Sequence, residues 1–190
     1  MRHLLASVSL VLVSLGVSAA CAQDFDVKGL MATAMSAGRV GLAQKTKPVD
    51  AKPADLGEVV VTIIRSEGVE TKSKPAEAGD MVVRNRCPES GNEQYLVKAA
   101  AFPKRYSAAQ SEGDAQGWRS FKPLGTPMRF VILGPSEGPY TFKAPWGEAM
   151  VAKPGDAIVQ DPANETDTYR IAATSFVCTY EVTEKPKAGG

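Results

Sequence analysis

The sequence predicts an α+β fold that is mainly β: two tandem small antiparallel β repeats, each with a short helical turn, packed as one compact domain. Three observations support this expectation. Short β-branched and aromatic runs are bounded by Gly, Pro and Asp, and residues of the same type recur in the same order in two stretches of the chain. The stretch that contains both, residues 57–183, has the usual size of one compact domain or of two very small ones.

The internal duplication is the most informative of these features. The first copy contains Gly79-Asp80 and the second contains Gly155-Asp156, and an apolar run follows each pair. Each copy then has a Tyr, a Phe seven residues later and a second Tyr four residues after that: Tyr95, Phe102 and Tyr106 in the first, Tyr169, Phe176 and Tyr180 in the second. Ordered matches of this kind indicate one structural unit that occurs twice.

Each copy is expected to form a small antiparallel sheet. Apolar runs at 59–64 and 130–133 precede Ser-Glu-Gly in the two copies, and the β-branched, continuous run 59–64 predicts a buried strand. The Gly-Asp pairs predict turns, because Gly permits a positive φ and Asp bonds the local backbone. The apolar residues after each turn predict a second strand, and the alternating segments that begin at Tyr95 and Tyr169 predict a third. The Phe-to-Tyr spacing of four residues predicts a single helical turn that buries both rings on one face.

The N-terminus predicts a secretory signal peptide. A cationic start (MRH) is followed by the apolar stretch 4–17 and by small residues, with Ala20 and Ala22 placed for cleavage after Ala22. The apolar stretch is too short for a comfortable membrane span, so an uncleaved membrane anchor is the less favoured alternative, and we expect no span in the mature chain. Lipidation at Cys21 is the less favoured alternative, because Ser18 stands where a lipoprotein signal has a large aliphatic residue.

Export would change the chemistry of the chain. It removes His3, the only histidine, and with it any His general base or His metal ligand. It removes Arg2, so that the net charge falls from +1 to zero and gives no electrostatic reason to bind nucleic acid or an anionic membrane. Cys21 is also lost, which leaves Cys87 and Cys178. Two cysteines in an oxidising compartment are expected to form a disulfide, with two separate free thiols as the alternative.

Composition divides the rest of the chain. The segment 23–56 is predicted to be a flexible arm, because its KTKPVDAKPAD stretch has nothing to bury and its weakly helical part is rich in Gly. The predicted organisation is a signal peptide over 1–22, a flexible arm over 23–56, a first repeat over 57–110, a connector over 111–128, a second repeat over 129–183 and a flexible tail over 184–190.

Four residues are candidates for ligand binding: Arg84, Arg86, Tyr95 and Trp118. Arg84 and Arg86 alternate along a predicted strand, so both guanidinium groups point to one face and could hold a carboxylate or a phosphate. Solvated charge on an edge strand is the ordinary alternative. Trp118 lies in a polar loop beside another arginine and is a candidate wall for a sugar or peptide groove.

Candidate catalytic groups have structural explanations. Asp80 and Asp156 could form a carboxylate pair, but turn formation explains both. Cys87 follows Arg84 and Arg86, two cations that could lower the pKa of its thiol, but a disulfide with Cys178 is the preferred interpretation. The sequence contains no phosphate-binding loop, zinc pattern, Ser-x-x-Lys motif or heptad repeat. We therefore expect no catalytic residues, no cofactor and no metal.

The second copy also carries a family resemblance. The run 146–181, with KPGD, Tyr169, Phe176 and a final Thr-Tyr-Glu, resembles the PGDYG family and small phage-encoded proteins with a similar pattern. The first copy resembles it more loosely, with Ala-Gly-Asp in place of Pro-Gly-Asp, and Ala157 stands where the family usually has an aromatic residue. The resemblance implies a small β fold in two tandem copies, and it carries no activity to this chain.

The expected function is an exported, non-enzymatic binding or protein-interaction module of unknown ligand, located in the periplasm or secreted. Its partner is expected to be a protein or a small molecule, and not nucleic acid. Two alternatives remain open: an enzyme that depends on carboxylates or on a cysteine, and a structural component of the cell envelope. The missing histidine makes most hydrolase classes unfavourable, although glycosidases that use only carboxylates stay open.

Overall fold

The computed structural model describes residues 24–187, so the signal peptide predicted over 1–22, with Cys21, lies outside the described residues. The described chain forms three short helices, α1 (Val27–Ser36), α2 (Phe102–Arg105) and α3 (Ala173–Thr179). Its strands are β1 (Gly41–Lys45), β2 (Val49–Pro53), β3 (Val61–Ile64), β4 (Gly68–Lys72), β5 (Met81–Asn85), β6 (Gln94–Val97), β7 (Arg119–Phe121), β8 (Met128–Ile132), β9 (Tyr140–Lys143), β10 (Ala149–Ala152), β11 (Ala157–Asp161), β12 (Asn164–Ile171) and β13 (Tyr180–Glu184). The fold is mainly β, with several antiparallel sheets in one compact domain, as predicted. None of the described helices is long and apolar enough to cross a bilayer.

The two larger sheets have the same arrangement of strands, apart from one additional strand in the second. The four-stranded sheet has the order β6-β5-β2-β7, and the five-stranded sheet has the order β12-β11-β8-β1-β13. In both, the strand after the Gly-Asp turn pairs with the next strand of the chain and with an earlier central strand. The difference is β1, which lies between β8 and β13, whereas β2 pairs directly with β7. We call residues 49–121 the first half and residues 128–184 the second half.

Each half has its own apolar core. The larger core surrounds the five-stranded sheet and also contains Met31 of α1 and Phe142 of β9. The smaller core covers one face of the four-stranded sheet. The predicted helical turns are confirmed: the rings of Phe102 and Tyr106 lie 5.0 Å apart, and those of Phe176 and Tyr180 lie 5.3 Å apart. These aromatic pairs pack the helical turns α2 and α3 against the two sheets.

The prediction that 23–56 is a flexible arm is wrong for the described part, because α1, β1 and β2 all lie within it. Asp26 caps α1 by accepting a hydrogen bond from the backbone of Gly29, and Val27, Met31 and Ala34 form its buried face. The predicted connector 111–128 likewise contains β7. Composition is a weak guide here, since a segment with little bulk can still become ordered when its neighbours cover it.

The small residues of β1 have a structural purpose. Gly41 lies between β8 and β13, and a Cβ atom there would come within 2.5 Å of the Glu184 carbonyl oxygen and 2.6 Å of the Phe130 ring. Ala43, two residues later, is completely buried. The small size of these residues therefore lets β1 enter the centre of the five-stranded sheet.

The prediction that the run 59–64 is a continuously buried strand is also wrong. The part of this run that forms a strand, β3, alternates between exposed and buried residues and pairs with β4 as a separate two-stranded hairpin. The run 130–133, by contrast, supplies β8 at the centre of the five-stranded sheet. The position in the first half that matches β8 is held by β2, so the two apolar runs do not occupy equivalent places.

A buried ion cluster joins the halves. Arg170 of β12 is only 2% exposed and donates to Asp156 in its own half at 2.7 Å. It also donates to Glu67 and Glu70 of the β3–β4 hairpin, each at 2.7 Å. Lys153 adds a second cation, with its amine 2.6 Å from Glu67. One guanidinium group thus binds carboxylates from both halves.

Candidate ligand-binding face

The structure brings three of the four predicted ligand-binding residues together. Along β5, Val83 points into the smaller core, and Arg84 points to the opposite face of the sheet. Arg86 and Trp118 lie on the same side as Arg84, with the Arg84 guanidinium carbon 4.3 Å from the centre of the Trp118 ring. Tyr95 pairs with Val83 and packs on the core side, so it does not belong to this face.

Sequence reasoning missed Asp50, which organises the face. Asp50 of β2 is the direct partner of Arg84 across the sheet. Its carboxylate accepts a hydrogen bond from Arg84 at 3.0 Å and from Arg86 at 2.6 Å. Burial alone would raise the pKa of Asp50, but the hydrogen bonds from the two arginines outweigh it and hold that pKa below its usual value. The only sequence signal was the alternation of apolar and polar residues in β2, which lay inside the segment predicted to be flexible.

The two arginines are held from more than one side. Arg86 also donates to the hydroxyl of Ser120 on β7 at 2.9 Å. The Trp118 loop is fixed by Asp114, whose side chain accepts a hydrogen bond from the Trp118 backbone at 2.9 Å. The amine of Lys52 lies 5.3 Å from the centre of the Trp118 ring. The indole therefore contacts two cations, an arrangement stabilised by cation–π attraction. We call Asp50, Lys52, Arg84, Arg86 and Trp118 the arginine–tryptophan face.

A groove of about 440 Å³ lies beside this face and is lined by Asp50, Arg84, Asn85, Arg86, Pro88 and Asn92. Asn92 has φ of 53°, a left-handed conformation that is uncommon for a residue with a side chain. A second concave region of about 350 Å³ lies at the edge of the same sheet, lined by Ala51, Pro53, Met81, Gly113, Gly117, Arg119 and Phe121. Both regions belong to the first half.

Tyr95 joins a polar cluster on the inner side of the four-stranded sheet. Its hydroxyl lies 2.9 Å from that of Tyr106 and accepts a hydrogen bond from Lys45 at 2.8 Å. Lys45 also donates to Asn85 at 2.6 Å. Burial lowers the pKa of the Lys45 ammonium to about 7, and burial raises the pKa of Tyr106 to about 12. Tyr95 thus serves as a packed hydrogen-bonding residue in a polar cluster between β1 and the first half.

The two aspartates of the Gly-Asp turns have the same contacts. Asp80 accepts hydrogen bonds from the backbones of Glu77 and Ala99 at 2.9 and 3.0 Å and from the Lys98 amine at 2.7 Å. In the second half, Asp156 accepts from the backbones of Lys153 and Ala173 at 2.7 and 3.0 Å and from Arg170. Each carboxylate ties its turn to the start of the helical segment that follows the third strand. Their oxygens are committed to structural bonds.

Cys87 and Cys178 form a disulfide, with Cα atoms 6.0 Å apart. The bond links the end of β5 to α3, so it crosses between the halves. Cys87 is fully buried, and the Glu89 carboxylate lies 3.4 and 3.3 Å from the two sulfurs. The amine of Lys47 lies 3.2 Å from the Cys178 sulfur. In this form the sulfurs are bonded to each other and are not available as a nucleophile or as metal ligands.

Comparison with known proteins adds no relative: no family model matches the chain, and neither the curated proteins nor the solved structures contain a significant match. The chemistry of the face must therefore be read from its geometry. Two guanidinium groups share one carboxylate beside an indole ring, next to an open groove. Such a surface can bind an anion and stack a flat ring.

Proposed function

We propose that this chain is an exported, non-enzymatic binding module, and that the arginine–tryptophan face holds a ligand that carries a carboxylate or phosphate beside a flat ring or sugar. The observation that carries the proposal is the shared carboxylate of Asp50, bonded to both Arg84 and Arg86. It holds the two guanidinium groups in place before a ligand arrives, which lowers the entropic cost of binding.

Charge at the face favours an anion. Arg84 and Arg86 share the single carboxylate of Asp50, so the trio keeps one positive charge, and Lys52 adds a second. A guanidinium group has five N–H donors, and within residues 24–187 the Arg84 guanidinium donates one hydrogen bond, to Asp50. The Arg84 and Arg86 side chains are 33% and 46% exposed, so their remaining donors can reach a ligand.

The hydrogen bonds that Asp80 and Asp156 accept support a binding function over a catalytic one. Each accepts two backbone hydrogen bonds and one from a cation. Burial would raise the pKa of Asp80, but bonds from Lys98 and from the backbone hold it below its usual value, whereas a general acid needs a raised pKa. The alternative of a thiol enzyme requires an unpaired Cys87, and the Cys87–Cys178 disulfide argues against it.

Two further parts of the proposal rest on the fold. The common strand order of the two sheets and the matching contacts of Asp80 and Asp156 support an origin from two PGDYG-like repeats. On this view β2, and not the run 59–64, begins the first repeat. The disulfide supports an oxidising compartment, either periplasm or extracellular medium, reached through the signal peptide expected over 1–22.

Tryptophan fluorescence can test the binding proposal. In a Trp146→Phe background Trp118 is the only indole, and three probes would be titrated: inorganic phosphate, citrate and trigalacturonate. We expect saturable quenching by at least one probe, and a Kd at least tenfold higher in Arg84→Gln/Arg86→Gln. Arg129→Gln is the matched control, because Arg129 lies on the five-stranded sheet and bonds Gln160 and Glu165.

Two results would overturn the proposal. One is equal binding of all three probes by the double variant and by its parent. The other is turnover of a substrate in a broad hydrolase screen that is lost when a single carboxylate is replaced.

A further inference from the structure

We propose that the exposed face of the β3–β4 hairpin is a docking surface for an extended partner segment in which aliphatic and acidic residues alternate. This surface lies apart from the arginine–tryptophan face, and its role does not depend on the function proposed above. The proposal rests on an apolar row that stays exposed, on lysines beside that row and on strands that pair with no third strand.

The apolar row is the main observation. Val59, Val61 and Ile63 are 38%, 40% and 52% exposed, and Val69 is 66% exposed. Ile63 and Val69 are direct partners across the hairpin, so their side chains lie on the same face. The alternate residues Val60, Thr62 and Ile64 are buried on the opposite face. A hairpin with one covered face normally presents polar residues to water, whereas this one is aliphatic on both faces.

Cations flank the apolar row. Lys72 is the direct partner of Val61 and is exposed. Val60 and Ser73 are joined by a backbone and a side-chain hydrogen bond, so Lys74 lies opposite Val59 at the end of the row, with its amine beside Gly147 in the β9–β10 turn. Within the described residues neither Lys72 nor Lys74 has a carboxylate at ion-pair distance.

The acidic residues of the hairpin are already engaged. Glu67 and Glu70 turn toward Arg170 and are bonded to it. The exposed face is therefore both apolar and positive, so the complementary partner is apolar and acidic.

The spacing of the row fits an extended segment. Residues on one face of a strand repeat at roughly 6.8 Å, which is also the repeat of alternate side chains in an extended peptide. Within residues 24–187 β3 and β4 form a sheet with each other alone, so a partner can lie along the hairpin without displacing a strand. A second copy of this chain would bring the same lysines against themselves. The face also lacks the Trp and Tyr residues that favour a lipid interface.

The experiment titrates the ¹⁵N-labelled protein with a capped octapeptide of alternating Val and Glu and monitors the amide chemical shifts. We expect saturable shifts concentrated in residues 59–74. Ile63→Ser/Val69→Ser should raise the Kd at least fivefold, and so should Lys72→Glu. Val177→Ser is the matched control, since Val177 is 81% exposed on α3 and should leave the Kd unchanged. An octapeptide of alternating Val and Lys should not bind.

Four outcomes would overturn the proposal. Absence of shifts in 59–74 is the first, and shifts confined to the groove beside Arg84 and Arg86 are the second. The third is self-association in sedimentation that Ile63→Ser/Val69→Ser abolishes, which would assign the surface to a second copy. The fourth is binding to vesicles of phosphatidylglycerol that the same variant abolishes without any peptide binding, which would assign it to lipid. All variants replace exposed residues, and far-UV circular dichroism would verify that they fold.

Discussion

A carboxylate oxygen of Glu67, in the first half, lies 2.7 Å from a guanidinium nitrogen of Arg170, in the second half. This contact attaches the β3–β4 hairpin to the edge strand β12 of the five-stranded sheet. Arg170 is nearly inaccessible to water and also binds Asp156 and Glu70. A buried guanidinium with three carboxylate partners makes this cluster the principal polar contact between the hairpin and the second half.

Replacement of Arg170 should be strongly destabilising. Arg170→Met leaves Asp156, Glu67 and Glu70 facing one another without their common cation, and a broken buried ion pair typically costs about 3–5 kcal/mol. Urea denaturation at pH 7 would measure the free energy of unfolding. Lys143→Gln is the control, since Lys143 and Asp24 form an exposed pair at 3.7 Å, and its effect should stay within about 0.5 kcal/mol. A loss below about 1 kcal/mol for Arg170→Met would contradict the central place of this residue.

The stability of Glu70→Gln relative to the wild type should increase as pH rises. Burial raises the pKa of Glu70 to about 7, although Arg170 acts in the opposite direction. Between pH values of about 4.5, the unfolded pKa, and about 7, the folded protein therefore binds a proton at Glu70 that the unfolded chain does not bind. The stability of the wild type falls as pH rises through that window, by up to about 1.4 kcal/mol per pH unit. Urea denaturation of both proteins at pH 5, 6 and 7.5 should show the variant gaining on the wild type. Parallel profiles would count against a neutral Glu70 at low pH.

Glu67→Gln should show the opposite trend. Burial would raise the pKa of Glu67, but bonds from Lys153 and Arg170 outweigh it and lower that pKa. The stabilising contribution of Glu67 is present above its unfolded pKa and is lost as pH falls through the folded value. The variant should be less stable than the wild type at pH 7, with the difference shrinking toward pH 4. The two carboxylates share one guanidinium, so each variant serves as the control for the other.

Lys45 should make the protein more stable in mild alkali. Its pKa is lowered by burial to about 7, so the unfolded chain binds a proton that the folded protein does not bind between about 7 and 10.5. Stability relative to Lys45→Met should rise across that window by at most about 1.4 kcal/mol per pH unit. Guanidinium denaturation from pH 6.5 to 9.5 tests this, and NMR titration of the Lys45 amine gives an independent reading. The same pH dependence of the free energy of unfolding in the wild type and in Lys45→Met would contradict a lowered pKa for Lys45.

Asp80→Ala should reduce stability and leave ligand binding intact. The variant removes the acceptor for the backbones of Glu77 and Ala99 and for Lys98, and unsatisfied buried donors cost about 1–3 kcal/mol. Thermal denaturation would record the loss, while Trp118 fluorescence would record binding of the anionic probes. Loss of probe binding in a protein that is still folded would instead give Asp80 a direct functional role.

Removal of the disulfide should cost roughly 4 kcal/mol. The cysteines are separated by 91 residues, and the chain-entropy model assigns the largest stabilisation to long loops. Urea denaturation of Cys87→Ser/Cys178→Ser, with and without a reducing agent, measures the effect. The reducing agent should lower the midpoint of the wild type and leave that of the double variant unchanged. A wild-type midpoint that does not respond to complete reduction would contradict a stabilising bond.

The elements that could be predicted depend on residues close together in the chain. The Gly-Asp turns, the strands after them and the helical turns at Phe102 and Phe176 all follow from local spacing. The ordered arm could not be predicted, because α1 and β1 are stabilised by residues of the second half. The exposed face of the β3–β4 hairpin could not be predicted either, because β-branched residues in sequence do not reveal whether anything covers them.

The candidate site divides in the same way. The two-residue spacing of Arg84, in β5, and Arg86, directly after it, was enough to predict that both lie on one face, because successive side chains of extended backbone alternate regardless of what surrounds it. Asp50 between the two arginines, Tyr95 on the other side of the sheet and Arg170 against Glu67 depend on which strands become neighbours. Strand order and hairpin docking arise from contacts between residues far apart in the chain. Those contacts carry no local signature, so they become visible when the folded molecule brings the residues together.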